Sequence, residues 1–249
     1  MYSWMARIVK SLSPQRSMAI EDLRTRDWVL LPGTLCTEEV FTGFLDAIGI
    51  PNERRKPVRL RFPAVEDYAD ILAPIANGAV LCGFSLGAIV AAHLADRFLT
   101  SRTVLFGLNP FPDDPAKATG RRALEQDVLE MGGASALSSR LPRLGGPDPD
   151  RARATILAMA DMASSDIEAQ TVLALTRPGA LDALSRTRSP VLVMTGSQDD
   201  MAPASQGQIA AEAAPFGSFG NIPNLGHYAL LEDASACADV FRELEDRLR

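Results

Sequence analysis

Gly83-Phe84-Ser85-Leu86-Gly87 lies between Ala79-Val80-Leu81-Cys82 and Ala88-Ile89-Val90-Ala91-Ala92-His93-Leu94-Ala95. The first flank is a short apolar run and reads as a buried strand. The second is rich in helix formers and reads as a buried helix. A strand, a tight turn and a helix hold the central serine on a strained bend, with its hydroxyl pointing out of the sheet. Gly83 and Gly87 suit that bend, because strand and helix backbones crowd there and a Cβ would clash. Gly makes up about 7% of residues in general, so the bare pattern arises by accident in roughly one chain of this length in ten. The flanks are what give it weight.

Working outward, apolar runs alternate with helical segments. Trp28-Val29-Leu30-Leu31 is a strand ending at Pro32-Gly33. A helix follows to Ile48, with Thr37 as a candidate N-cap. Val58-Arg59-Leu60-Arg61-Phe62 alternates and stops at Pro63, which predicts a strand. Residues 65–76 predict a helix closed by Asn77-Gly78, and 103–108 the strand after the serine turn and its helix. From Asn109 to Ser189 the alternation stops. Helical segments are expected near 119–131, 133–141, 150–162, 166–176 and 179–185, too long a stretch for a plain loop. Strands return at 191–195 and 216–222, with helices at 205–214 and 234–248. The division expected is an N-terminal extension at 1–26, an α/β core at 27–108 and 190–249, and a helical cap at 109–189. Alternating strands and helices imply a mostly parallel twisted sheet with helices on both faces.

The 249 residues carry 25 basic and 31 acidic side chains, a net charge of −6, and 47% are hydrophobic. A large core is therefore available, and nucleic acid or an anionic membrane surface is a poor partner. No apolar run approaches the ~20 residues of a membrane span, and residues 1–20 lack the apolar stretch of a signal peptide. Residues 1–15 are compatible with a short amphipathic helix. Cys36, Cys82 and Cys237 have neither metal-ligand spacing nor an even count. They favour a reducing, cytoplasmic setting. Cys82 and Cys237 read as core residues. Cys36 follows the loop Pro32-Gly33-Thr34-Leu35 at the expected site and is expected to be partly reachable.

A serine hydroxyl needs a base within hydrogen-bond reach, and the base needs an orienting acid. The chain has two histidines. His93 sits on the helix after the serine turn, in an Ala-rich face, and reads as structural. His227 follows Asn224-Leu225-Gly226, in the loop after the last strand, where ligand chemistry collects in open α/β sheets. His227 is the candidate general base. The acid is expected between Ser85 and His227, after the strand at 191–195, at Asp199 or Asp200. The oxyanion needs two backbone N–H donors. Leu86 supplies one, and the loop Pro32-Gly33-Thr34-Leu35 the other, with Thr34 first and Leu35 as the alternative.

These residues together resemble the α/β-hydrolase superfamily, and more closely its small capped esterases and acyl hydrolases, a group that includes pimeloyl-carrier-protein methyl ester esterases and enol-lactonases. The resemblance runs from Trp28 to the C-terminus on Leu30-Leu31-Pro32-Gly33-Thr34, Gly83-Phe84-Ser85-Leu86-Gly87, Gly196-Ser197-Gln198-Asp199 with Pro203, and Gly226-His227 with Glu232. It implies that the acid sits three residues after Gly196, which selects Asp199. It implies a carboxylic ester hydrolase with a Ser85–His227–Asp199 triad, needing no metal or cofactor, whose partner is a small acyl ester. Lactones and thioesters are alternatives. Lyase, perhydrolase and receptor uses of the fold form a further class. Two departures stand out. Pro32 occupies a position where many members have histidine, and the chain before Trp28 is short for the antiparallel strands that many members carry.

Specificity is expected in the cap, which is rich in Leu, Ala and Met. Met159 and Met162 are read as core first and acyl-pocket lining second. Arg140, Arg143, Arg151 and Arg153 form a local basic excess, read first as a solvated face and second as a contact for an acyl carrier or an anionic acyl tail.

Overall fold

A computed structural model describes residues 22–248 of the chain. The expectation for residues 1–15 lies outside them. Trp28–Leu31 (β1), Arg55–Pro57 (β2), Val80–Phe84 (β3), Arg102–Phe106 (β4), Val191–Gly196 (β5) and Gly217–Ile222 (β6) form one sheet in the order β2-β1-β3-β4-β5-β6. Every pairing is parallel. Among the described residues no antiparallel strand joins it.

The sheet is buried on both faces, which is why its strands read as continuous apolar runs rather than as alternation. Trp28, Leu30, Val80, Cys82, Phe84, Val104 and Phe106 point to one face. There they meet Glu39–Ile48 (α1) and Ala234–Arg247 (α11). Rings of Trp28, Phe44, Phe106 and Phe241 pack edge to face, with centroids 5.1–6.2 Å apart. Val29, Leu31, Leu81, Leu105, Val191 and Val193 face the other layer. That layer holds Asp67–Leu72 (α2), Leu86–His93 (α3) and Ala204–Ala213 (α9).

Ala118–Met131 (α4), Gly133–Ser138 (α5), Pro149–Ala163 (α6), Ile167–Thr176 (α7) and Leu181–Arg186 (α8) connect β4 to β5. A four-residue helix, Ala229–Glu232 (α10), follows β6. No described helix is long and apolar enough to cross a membrane.

The expected strand at 58–62 does not form. Pairing ends where Val58 N–H donates to Leu30 O at 2.8 Å, and the chain then leaves the sheet edge. Val58 and Leu60 are still buried, which explains their alternation. The backbone groups beyond are taken by side chains instead. Leu60 O accepts from Gln170 Nε2 at 3.2 Å, and Phe62 N–H donates to the Tyr68 hydroxyl at 2.9 Å. Helix α2 is shorter than expected, and α1 starts after Glu38 rather than Thr37, whose hydroxyl accepts only a long bond from Glu39 N–H at 3.4 Å.

Candidate active site

Ser85 occupies the first bend after β3 with φ 51° and ψ −115°, a region that non-glycine residues avoid. Close packing enforces the bend. A Cβ on Gly83 would sit 2.6 Å from Ala88 Cα, and one on Gly87 1.9 Å from Leu31 O. Ser85 N–H is anchored on Phe106 O of β4 at 2.9 Å. The strain is therefore held by the sheet on one side and the helix on the other.

His227 Nε2 lies 3.0 Å from Ser85 Oγ, and its Nδ1 lies 2.8 Å from Asp199 Oδ2. With Nδ1–H donating to the Asp199 carboxylate, Nε2 is left as an acceptor that faces the Ser85 hydroxyl. Asp199 is itself locked. Its Oδ1 accepts from Met201 N–H at 2.9 Å and Ala202 N–H at 2.8 Å. Asp199 and His227 are buried, whereas Asp200 is exposed. Phe84 and Tyr228 flank the imidazole, with ring centroids 5.2 and 5.6 Å away. The loops that carry the acid and the histidine are tied to each other. Gln198 N–H donates to Leu225 O, and Asn224 N–H to Ser197 Oγ, each at 2.8 Å.

Thr34 and Leu86 both line a small cleft of about 60 Å³ around Ser85 and His227. Cys36 N–H donates to Gly33 O at 3.1 Å, closing a turn in which Leu35 takes φ 55°. The Leu35 amide donates to Gln170 Oε1 at 2.9 Å. Of the two alternatives in this loop, the Leu35 amide is thus already engaged within the protein. Leu86 opens α3, and the first amides of a helix have no partner within it.

His93 is remote from this cluster and bonds Glu66 Oε1 at 3.2 Å, in keeping with a structural reading. Cys36 is not reachable as expected. It is buried, and burial pushes its thiol up to about 12, the opposite of a reactive cysteine. Met159 belongs to the core and Met162 is exposed; neither lines the cleft. None of Arg140, Arg143, Arg151 and Arg153 lines it either. Arg140 pairs with Asp127, and Arg153 donates to Ser138 O at 2.8 Å.

Two residues escaped a role in the sequence reading. Gln170 of α7, 1% exposed, clamps the Leu35 amide and the Leu60 carbonyl. Glu232, 2% exposed, accepts Gly226 N–H at 2.9 Å and Gly145 N–H at 2.7 Å through Oε2. It pins the residue before His227 to the loop between α5 and α6. A lone glutamine in a helix carries no signal, while Glu232 had one in its spacing from His227.

The fold, the serine bend and the order of these residues along the chain define an α/β hydrolase, and the sequence profile of that family matches residues 24–240. The chain belongs to the α/β hydrolase family. It is 25% identical over 212 residues to the pimeloyl-[acyl-carrier protein] methyl ester esterase of Aromatoleum aromaticum, covering 74% of this chain and 81% of that protein. Its fold is similar to that of a thermophilic esterase from Thermogutta terrifontis, with TM-score 0.73, 21% identity and 90% of each chain covered. It is also similar to an enol-lactonase from Burkholderia xenovorans LB400, with TM-score 0.68 and 20% identity over 90% of this chain and 91% of that one.

Proposed function

We propose that this chain is a carboxylic ester hydrolase that cleaves a small or medium acyl ester through Ser85, His227 and Asp199. The observation that carries the proposal is the unbroken run of contacts from Ser85 Oγ to His227 at 3.0 Å and from His227 to Asp199 at 2.8 Å, opening on a cleft. Ser85 Oγ attacks the carbonyl carbon while His227 Nε2 takes the hydroxyl proton. The Thr34 and Leu86 amides hold the oxyanion. The intermediate collapses to an acyl-serine, and the leaving alkoxide takes the proton from the imidazolium. Water then attacks, His227 takes its proton, and the acid departs as Ser85 recovers its hydrogen. Asp199 stays ionised throughout and stabilises the imidazolium. These steps draw on no metal or cofactor.

In this reading residues 109–189 form a cap over the core at 27–108 and 190–249, and the cap shapes the acyl site. A lactone or thioester would follow the same steps. A carrier-borne acyl group, which the name of the Aromatoleum relative suggests, would have to dock outside the cleft. Arg140 and Arg153 offer that little, since both are engaged within the chain. Replacing Ser85 by Ala is expected to lower kcat on the best ester of a graded panel by about 10⁴-fold or more. A folded Ser85→Ala variant that keeps a tenth of the wild-type rate would sink the proposal.

A further inference from the structure

We propose that the ester hydrolysed at Ser85 carries a second, anionic group, a carboxylate joined to the scissile carbonyl by a short spacer. This rests on the esterase reading of the same cleft.

The cleft departs from the rest of the molecule in its charge. The chain has more acidic than basic residues, 31 against 25. Yet the residues that line the cleft include Lys117, Arg121 and Arg177, and the Asp199 carboxylate lies behind His227 rather than on the cleft wall. Lys117 is one of three lysines in the chain and lies in the turn that leads into α4. It is exposed, and its ammonium forms no ion pair or hydrogen bond with a described residue. Arg121 and Arg177 share one carboxylate. Arg121 grips Asp113 through Nε at 2.7 Å and Nη2 at 2.6 Å, and Arg177 Nη1 reaches it at 2.9 Å. The side chains of Asp113 and Arg177 are 4% and 2% exposed, and that of Arg121 is 30% exposed. Arg177 is further held by the carbonyls of Ala174 and Phe111.

Asp113 is the carboxylate that answers the two arginines, and it leaves the Lys117 ammonium without an ion-pair partner among the described residues. Asp113 fixes the guanidinium of Arg121 in place without cancelling Lys117. Asn109 adds a neutral donor. Its Oδ1 accepts Phe111 N–H at 3.0 Å, which turns its NH₂ away from that bond. An apolar acyl tail would gain nothing from these groups and would strip water from them. A carboxylate gains charge-assisted bonds there, which salt screens in part because Lys117 is exposed. The small cleft volume keeps the spacer short.

The test compares monoethyl glutarate and monoethyl adipate with the isosteric esters in which the free carboxylate is a primary amide. The wild type is expected to favour the carboxylate esters by roughly tenfold or more in kcat/KM, the scale of one charge-assisted contact. That ratio is expected to shrink as salt rises from about 0.02 to about 0.5 M. Lys117→Ala is expected to cut the ratio by about tenfold. Lys56→Ala removes the same charge from a side chain that donates to Glu53 O and does not line the cleft, and should leave the ratio unchanged. Hydrolysis of the amide esters at equal or better efficiency overturns the inference and leaves the esterase reading standing. If the wild type cleaves no ester, the esterase reading fails and calorimetry decides the anion site on its own. Monoethyl glutarate binding Ser85→Ala about tenfold more tightly than its amide, with the difference lost on adding Lys117→Ala, supports the site. Equal binding of the two overturns it.

Discussion

Asp199 and Asp200 are adjacent and chemically identical, yet the structure gives them opposite surroundings. Asp199 is buried, holds His227 Nδ1 and accepts two backbone amides; Asp200 is exposed. Asp199→Asn keeps an acceptor for those amides but permits the wrong imidazole tautomer. It is expected to lower kcat by about 10⁴-fold. Asp200→Asn should stay within about twofold, and stopped assays on one ester separate the two. At this scale the sequence spoke clearly. Two histidines left a short search, and the spacing from Gly196 resolved the aspartate only through family resemblance. The backbone amide of Leu35 was beyond its reach, because the residue that engages it, Gln170, lies 135 positions away.

Between elements, the site is held by side chains that bridge loops. Glu232 joins the amide before His227 to Gly145, a residue of the long helical connection. Removing its carboxylate leaves two amides without their acceptor in a buried place. Glu232→Ala is therefore expected to cost roughly 3 kcal/mol or more in urea unfolding. Its kcat should also fall as the His227 loop loses its anchor. Unchanged stability with unchanged kcat would show that the bridge does nothing. The strands at 28–31, 80–84 and 191–196 were legible because they are buried on both faces and bounded by turn residues. The expected strand at 58–62 was not, because burial of Val58 and Leu60 gives the same alternation whether or not the backbone pairs. What decides the pairing is the competing acceptor and donor offered by Gln170 and Tyr68, and those come from other elements.

For the molecule as a whole, Asp113, Arg121 and Arg177 tie the early and late parts of the long connection between β4 and β5 to each other beside the cleft. Burial opposes ionisation of Asp113, but its bonds to Arg121 and the charges of both arginines prevail and hold its carboxyl below the ordinary carboxylate range. A carboxylate depressed in the folded state stabilises it above the ordinary value and loses that contribution as pH falls through the folded one. Asp113→Asn is thus expected to lower Tm at neutral pH. The gap from wild type should close as pH falls below about 4. A gap that stays constant in acid would remove Asp113 from the account. The sheet core was readable from the chain because its pattern repeats element after element. The charge of the cleft was not, because Lys117 and Arg121 lie about 60 residues before Arg177 along the chain, and folding alone brings them to Ser85.

The central claim is that Ser85 is an activated nucleophile. The most direct measurement is reaction of the folded protein with a fluorophosphonate, followed by peptide mapping by mass spectrometry. One adduct per chain, on the peptide containing Ser85 and absent from Ser85→Ala and strongly slowed in His227→Ala, is the predicted result. A folded wild-type protein that stays unlabelled, or that carries the adduct on another residue, would contradict it.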